Sequence, residues 1–162
     1  MMFRLLLIFI SFTSLFYALD QEVIKSYIDH HLPLSGTLQQ TTDGFVYLDI
    51  SDRYITECHQ FIKNEGFKFP PYFDKNLVGA HITIMTPKEA RSLKIKELGQ
   101  TFDFKILDGA IVSPPKWEET KACILTIEAP EIDALRTHYG LAKSLYPLHI
   151  TIGIKGNYQF SF

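Results

Sequence analysis

One tetrapeptide occurs twice in this chain, as His81-Ile82-Thr83-Ile84 and as His149-Ile150-Thr151-Ile152. In an extended strand successive side chains point to opposite faces. Each copy therefore sets a histidine and a threonine side by side, with two isoleucines turned the other way. The isoleucines suit a core. A histidine titrates near neutral pH, so two of them supply an acid and a base under the same conditions. Two hydroxyls supply donors for the non-bridging oxygens of a phosphate. The set fits in-line attack at phosphorus: a neutral histidine takes a proton from water, and a protonated one gives a proton to the leaving ribose oxygen. His81 and His149 are thus the candidate acid/base pair, and Thr83 and Thr151 the candidate phosphate-binding residues. This chemistry requires no metal, and no carboxylate-rich segment offers to hold one. No cofactor is expected.

The elements that must carry the two copies read as follows. Asp20 caps a first helix bearing Val23, Ile24, Tyr27 and Ile28 at helical spacing, closed by His30 and His31. Residues 33–44 read as a loop, with Gly36, Thr41, Thr42 and Asp43 as breakers. Residues 45–50 form a strand with Phe45, Tyr47 and Asp49 on one face. Ser51 or Asp52 then caps a helix to about Asn64, with Ile55, Cys58, Phe61 and Ile62 on its apolar side, and Gly66 ends it. A loop over 67–78, rich in proline and aromatic residues, delivers the first tetrapeptide.

Thr86-Pro87-Lys88-Glu89 is a capping box with proline at the first helical position, opening a helix to about Leu98. Residues 102–112 are extended, with a turn or bulge at Asp108-Gly109. A proline loop holds Trp117. Residues 121–129 form a strand, and Pro130 opens a helix carrying Ile132, Leu135 and Tyr139, before the second tetrapeptide. Each half thus has a strand, a helix and a motif strand. This repeat of order predicts a two-lobed α+β domain, with helices outside and the motif strands facing a shared groove.

The 162 residues suit one domain, and a formal charge of −2 without a Lys/Arg run leaves no footprint for duplex nucleic acid. Residues 1–18 read as a signal peptide or anchor: Arg4 is their only charge and 5–16 are almost wholly apolar, too short for a membrane span. Export to the periplasm or outside the cell is expected, with no stable membrane association once the leader is cleaved. Cys58 and Cys123 have no metal-type spacing and read as two separate buried thiols.

The two His-Ile-Thr-Ile motifs, their position after strand–helix units and the extended segment between the halves resemble the 2H phosphoesterase superfamily, over roughly residues 44–156. The resemblance implies His81 and His149 as acid and base, and Thr83 and Thr151 on the phosphate. It also implies a bilobal α+β fold, with two antiparallel sheets and outer helices around a central groove, related by a pseudo-two-fold repeat. Residues 19–43 form a helix and loop ahead of that domain, which spans 44–162. The expected activity is metal-independent hydrolysis of a 2′,3′-cyclic phosphate or a related ribose phosphodiester in a nucleotide or RNA end. A 2′-5′ phosphodiesterase acting on oligonucleotides is one alternative; a non-catalytic nucleotide-binding or exported interaction module is another. The candidates for stacking on a base are Tyr47, Tyr72, Trp117 and Tyr146, each with a packing or turn role as the alternative. The chain is expected to act as a monomer.

Overall fold

The computed structural model of the chain describes residues 21–73, 78–114, 119–144 and 146–156. The leader expected at 1–18 and the indole of Trp117 lie outside them. Helix α1 (residues 21–31) is followed by strands β1 (Ser35–Gln40) and β2 (Val46–Asp49), and by short helices α2 (Arg53–Thr56) and α3 (His59–Ile62). The first motif strand is β3 (His81–Met85), followed by α4 (Pro87–Ala90), β4 (Thr101–Asp103), β5 (Lys105–Val112) and β6 (Lys121–Glu128). Helix α5 (Pro130–His138) then leads to the second motif strand, β7 (His149–Lys155).

Among the described residues the strands form one antiparallel sheet in the order β4-β1-β2-β3-β7-β6-β5. The expected pair of separate sheets is thus replaced by a single seven-stranded one. Its two halves are nevertheless distinct. Units β1-β2-α2-α3-β3 and β5-β6-α5-β7 each run two strands, a helical segment (two short helices in the first, one in the second) and a strand, and they meet where β3 pairs with β7 at Ile82 and Ile150.

The repeat extends to a detail. Against β2, the register steps from Thr83 to Met85; against β6, it steps from Thr151 to Gly153. Both motif strands therefore bulge at the last isoleucine of the tetrapeptide, Ile84 and Ile152. A bulge bends its strand and increases the local twist. Each strand turns away just past its threonine, so the registered pairing between the two halves is confined to Ile82–Ile150.

The helices pack on one face of the sheet. Ile24 and Ile28 of α1, Leu32 just after it, Ile55 of α2, Ile62 of α3, and Ile132 and Leu135 of α5 share a core with Leu38, Leu48, Ile82, Ile84, Leu125, Ile127, Ile150 and Ile152. Ile82 and Ile150 are wholly buried, and each such burial stabilises by about 2 kcal/mol. Cys58 and Cys123 are buried free thiols, and burial pushes each up to about 12. Among the described residues no helix is long and apolar enough to cross a membrane.

Three local expectations are corrected. Residues 33–44 are not a loop: they contain β1, which pairs with β2 and β4. Breaker Gly36 lies inside that strand because a Cβ there would meet Ile50 Cγ2 at 2.7 Å and the Asp49 carbonyl at 2.9 Å. The helix expected to reach Asn64 is broken at Glu57–Cys58, so that Ile55 and Ile62 both reach the core; Gly66 does end it, at φ 83°. The capping box at Thr86 and Glu89 forms, but α4 stops at Ala90 rather than near Leu98. Beyond it, the Lys96 N–H donates to Tyr139 Oη, whose hydroxyl donates to Glu97, so Tyr139 at the end of α5 satisfies an N–H that a longer helix would have paired internally.

Candidate active site

On the face away from the helices, the Ile82–Ile150 pairing sets His81 across from Thr151 and Thr83 across from His149. Facing Cβ atoms on neighbouring strands lie about 5 Å apart, and diagonal ones about 7 Å. The two histidines occupy one diagonal of this quadrilateral and the two threonines the other. Outward from the centre, β2 places Asp49 beside His81 and Tyr47 beside Thr83. On the other side, β6 places Ile124 beside Thr151 and Thr126 beside His149.

Both rings are oriented by the same device. His81 Nδ1 lies 2.8 Å from the Gly79 carbonyl oxygen, and His149 Nδ1 lies 2.8 Å from that of Pro147. A carbonyl only accepts, so each Nδ1 carries its proton and each Nε2 is left to face a ligand. In both cases the acceptor is two residues before the histidine.

The surroundings of the two histidines differ. The rings of Tyr72, Phe45 and Tyr47 stand at 4.9, 5.7 and 6.0 Å from that of His81, all edge-on. Burial among them pushes the His81 imidazole below the ordinary histidine value. The Gly79 hydrogen bond opposes that shift, and the charge of His149 adds to it. His81 is thus biased toward its neutral form at neutral pH.

The candidate stacking residues separate. Tyr47 is half-buried on the site face, stacked on Phe45 at 5.4 Å. Tyr72 is only 6% exposed; its hydroxyl makes a 3.5 Å contact to the Thr151 carbonyl, so it braces both motif strands. Tyr146 is 60% exposed, three residues before His149. A small second apolar cluster, Ala122, Ile124 and Ile154 with Ala110 against it, lies apart from the main core; Ile124 brings it beside Thr151.

Arg136 was not singled out from the sequence. Only 4% exposed on α5, it donates to the Ile84 carbonyl at the end of the first motif, to Glu89 at 2.8 Å, and to the Ala142 carbonyl at 2.8 and 3.2 Å. It clips the chain approaching the second motif to the end of the first. Its signal was a charge on a buried stripe, since it follows Ile132 by one helical turn. Among the described residues, no group of three or more His, Cys, Asp or Glu side chains is arranged to hold a metal ion.

Comparison with known families returns one described as Swiss Army Knife, 2H phosphoesterase domain, matched over residues 46–160. No match is found among curated proteins or among solved structures. The matched span begins at the first residue of β2 and contains both tetrapeptides. The chain belongs to the 2H phosphoesterase superfamily, a membership that implies phosphodiesterase-type chemistry.

Proposed function

We propose that the chain hydrolyses a 2′,3′-cyclic phosphate, or a related ribose phosphodiester, at a nucleotide or RNA end, with His81 as base and His149 as acid. The observation that carries this reading is the Ile82–Ile150 pairing, which brings both His-Thr pairs onto one face across a single strand junction. Neutral His81 takes a proton from water at Nε2 as the water oxygen bonds to phosphorus. His149, protonated, gives its Nε2 proton to the ribose oxygen as the phosphorus–oxygen bond breaks. Thr83 and Thr151 hold the non-bridging oxygens. The product is a phosphomonoester, and solvent exchange returns the protons to their starting places.

The assignment of base to His81 is supported by its aromatic enclosure, which disfavours the charged ring. Tyr47 and Tyr146, both accessible, are the side chains in this reading for contact with a base. The reading includes action as a monomer without metal or cofactor. It also includes export, supported by the apolar run at 5–16 and tested by N-terminal sequencing of secreted material.

A hydrolysis panel of 2′,3′-cyclic, 3′-5′ and 2′-5′ substrates, run in chelator beside His81→Ala and His149→Ala, tests the reaction. Cleavage of cyclic mononucleotides, lost in both variants, supports it. Cleavage of linear 2′-5′ linkages alone assigns the chain to oligonucleotides. Saturable binding without turnover anywhere in the panel removes the hydrolytic reading.

A further inference from the structure

Asp52 stands at the N-cap position of α2, yet its side chain makes no capping bond to that helix. Asp is favoured at such positions because its carboxylate satisfies the first free N–H groups of the helix. Here Asp52 Oδ1 instead accepts the N–H of Ala80 at 2.8 Å, across 28 residues of sequence. That N–H belongs to the same peptide group as the Gly79 carbonyl, which accepts from His81 Nδ1. A carboxylate, one peptide plane and an imidazole thus form a continuous hydrogen-bonded chain.

The approach depends on residue 79 being glycine. A Cβ there would lie 2.2 Å from Asp52 Oδ1. Among the described residues no carboxylate accepts the corresponding Leu148 N–H, and the carbonyl that orients His149 belongs to Pro147, whose own ring stiffens the chain.

We propose that Asp52 is a positioning residue for His81, acting through the Gly79–Ala80 peptide as the third member of a carboxylate–peptide–imidazole relay. The carboxylate fixes the peptide plane and so the direction of its carbonyl. A negative charge at one end also polarises the peptide, which strengthens the bond at the other. Both effects hold the Nδ1 proton and make Nε2 the more basic. Among the described residues, the other titratable groups around the ring are Asp49 and Tyr47 on β2, Tyr72 in the loop before β3, and His149 on β7.

The role of Asp52 in turnover rests on the proposed hydrolysis; its effect on the imidazole does not. The test therefore has two readouts. Imidazole NMR titration follows His81 and His149 in the wild type, Asp52→Ala, Asp52→Asn and Gly79→Ala. Steady-state kinetics follows the same four proteins on a 2′,3′-cyclic mononucleotide.

In Asp52→Ala the His81 midpoint falls and its Nδ1–H tautomer loses population, while His149 titrates as before. The kcat falls by about 10- to 100-fold with little change in KM. Asp52→Asn, which keeps an oxygen acceptor, recovers most of the tautomer and of kcat. Gly79→Ala, which displaces the carboxylate without removing it, reproduces Asp52→Ala. An unchanged His81 titration in Asp52→Ala or Gly79→Ala overturns the relay, and so does an equal change at both histidines. A wild type that hydrolyses no phosphodiester defeats the proposed function instead, and the titration still decides the relay.

Discussion

Ile82 of β3 faces Ile150 of β7 at the one registered position joining the two halves of the sheet. The polar neighbours of these two residues are the candidate acid, base and phosphate ligands. The wholly buried pair thus anchors the site from behind. Truncating either isoleucine to alanine is expected to cost about 2 to 5 kcal/mol. Urea unfolding measures the loss, and a cost below 1 kcal/mol would deny the pair this role.

The two histidines are expected to act as a unit. His81→Ala and His149→Ala should each lower kcat on a 2′,3′-cyclic mononucleotide by about 10²- to 10⁴-fold. The double variant should be little worse than either single one, because removing one proton carrier already disables the other. Multiplicative losses would mean that they contribute separately.

The acid limb of the pH profile should lie below the ordinary histidine value of 6.5, because burial holds His81 neutral further into acid. As pH falls through the lowered value, His81 gains a proton and can no longer serve as the proposed base. Phe45→Ala removes one wall of the enclosure and admits water. The limb should then move up toward the ordinary value, since solvation favours the charged ring. A limb of kcat/KM that moves down in Phe45→Ala would contradict this account.

In the proposed reaction Thr83 and Thr151 hold charge that develops at phosphorus, so their loss should appear in kcat more than in KM. Thr83→Val and Thr151→Val are each expected to cost about 10²-fold. Thr83 is exposed and Thr151 half-buried on the site face, so melting temperatures should be close to that of the wild type. A drop in melting temperature that accounts for the lost rate would give the threonines a structural role instead.

Arg136 should matter to stability more than to chemistry. Arg136→Met removes the donor to the carbonyls of Ile84 and Ala142 and to Glu89 Oε1, while Thr86 still holds Glu89 Oε2, at a cost of about 3 kcal/mol. Burial alone would raise the Glu89 carboxyl, but hydrogen bonds from Arg136 and Thr86 outweigh it and hold it below the ordinary value of 4.5. A depressed carboxylate stabilises fully above its unfolded value, and that stability is lost as pH falls through the folded one. The stability gap between wild type and Glu89→Gln should therefore be full above pH 4.5 and shrink in more acid solution. Denaturation at pH 7 and at pH 3 checks the sign.

What could be read from the sequence was local. Strand alternation placed His and Thr opposite two isoleucines, and the capping box at Thr86 and Glu89 formed as its residues imply. The apolar face of Cys123, Leu125 and Ile127 is the one that enters the core. What escaped depends on partners far along the chain. Strand β1 hides among breakers because its only wholly buried side chain is Leu38, and its glycine serves the approach of β2. Asp52 reads as a helix cap because the peptide it holds lies 28 residues away. Arg136 finds the Ile84 carbonyl 52 residues away. The meeting of the two motif strands in one sheet is likewise non-local, and the family resemblance had implied two sheets.

The paired bulges at Ile84 and Ile152 have a further consequence, which is one of length. An unbroken pair of strands would have continued the site face through Met85 and Gly153. Here each motif strand keeps its reactive side for three residues and then changes step. The patch that is left is two strands wide and about 7 Å long, roughly the footprint of one phosphate with a ring at either end. Under the proposed hydrolysis the patch is a single berth, and a substrate is expected to be held there at only one phosphorus at a time.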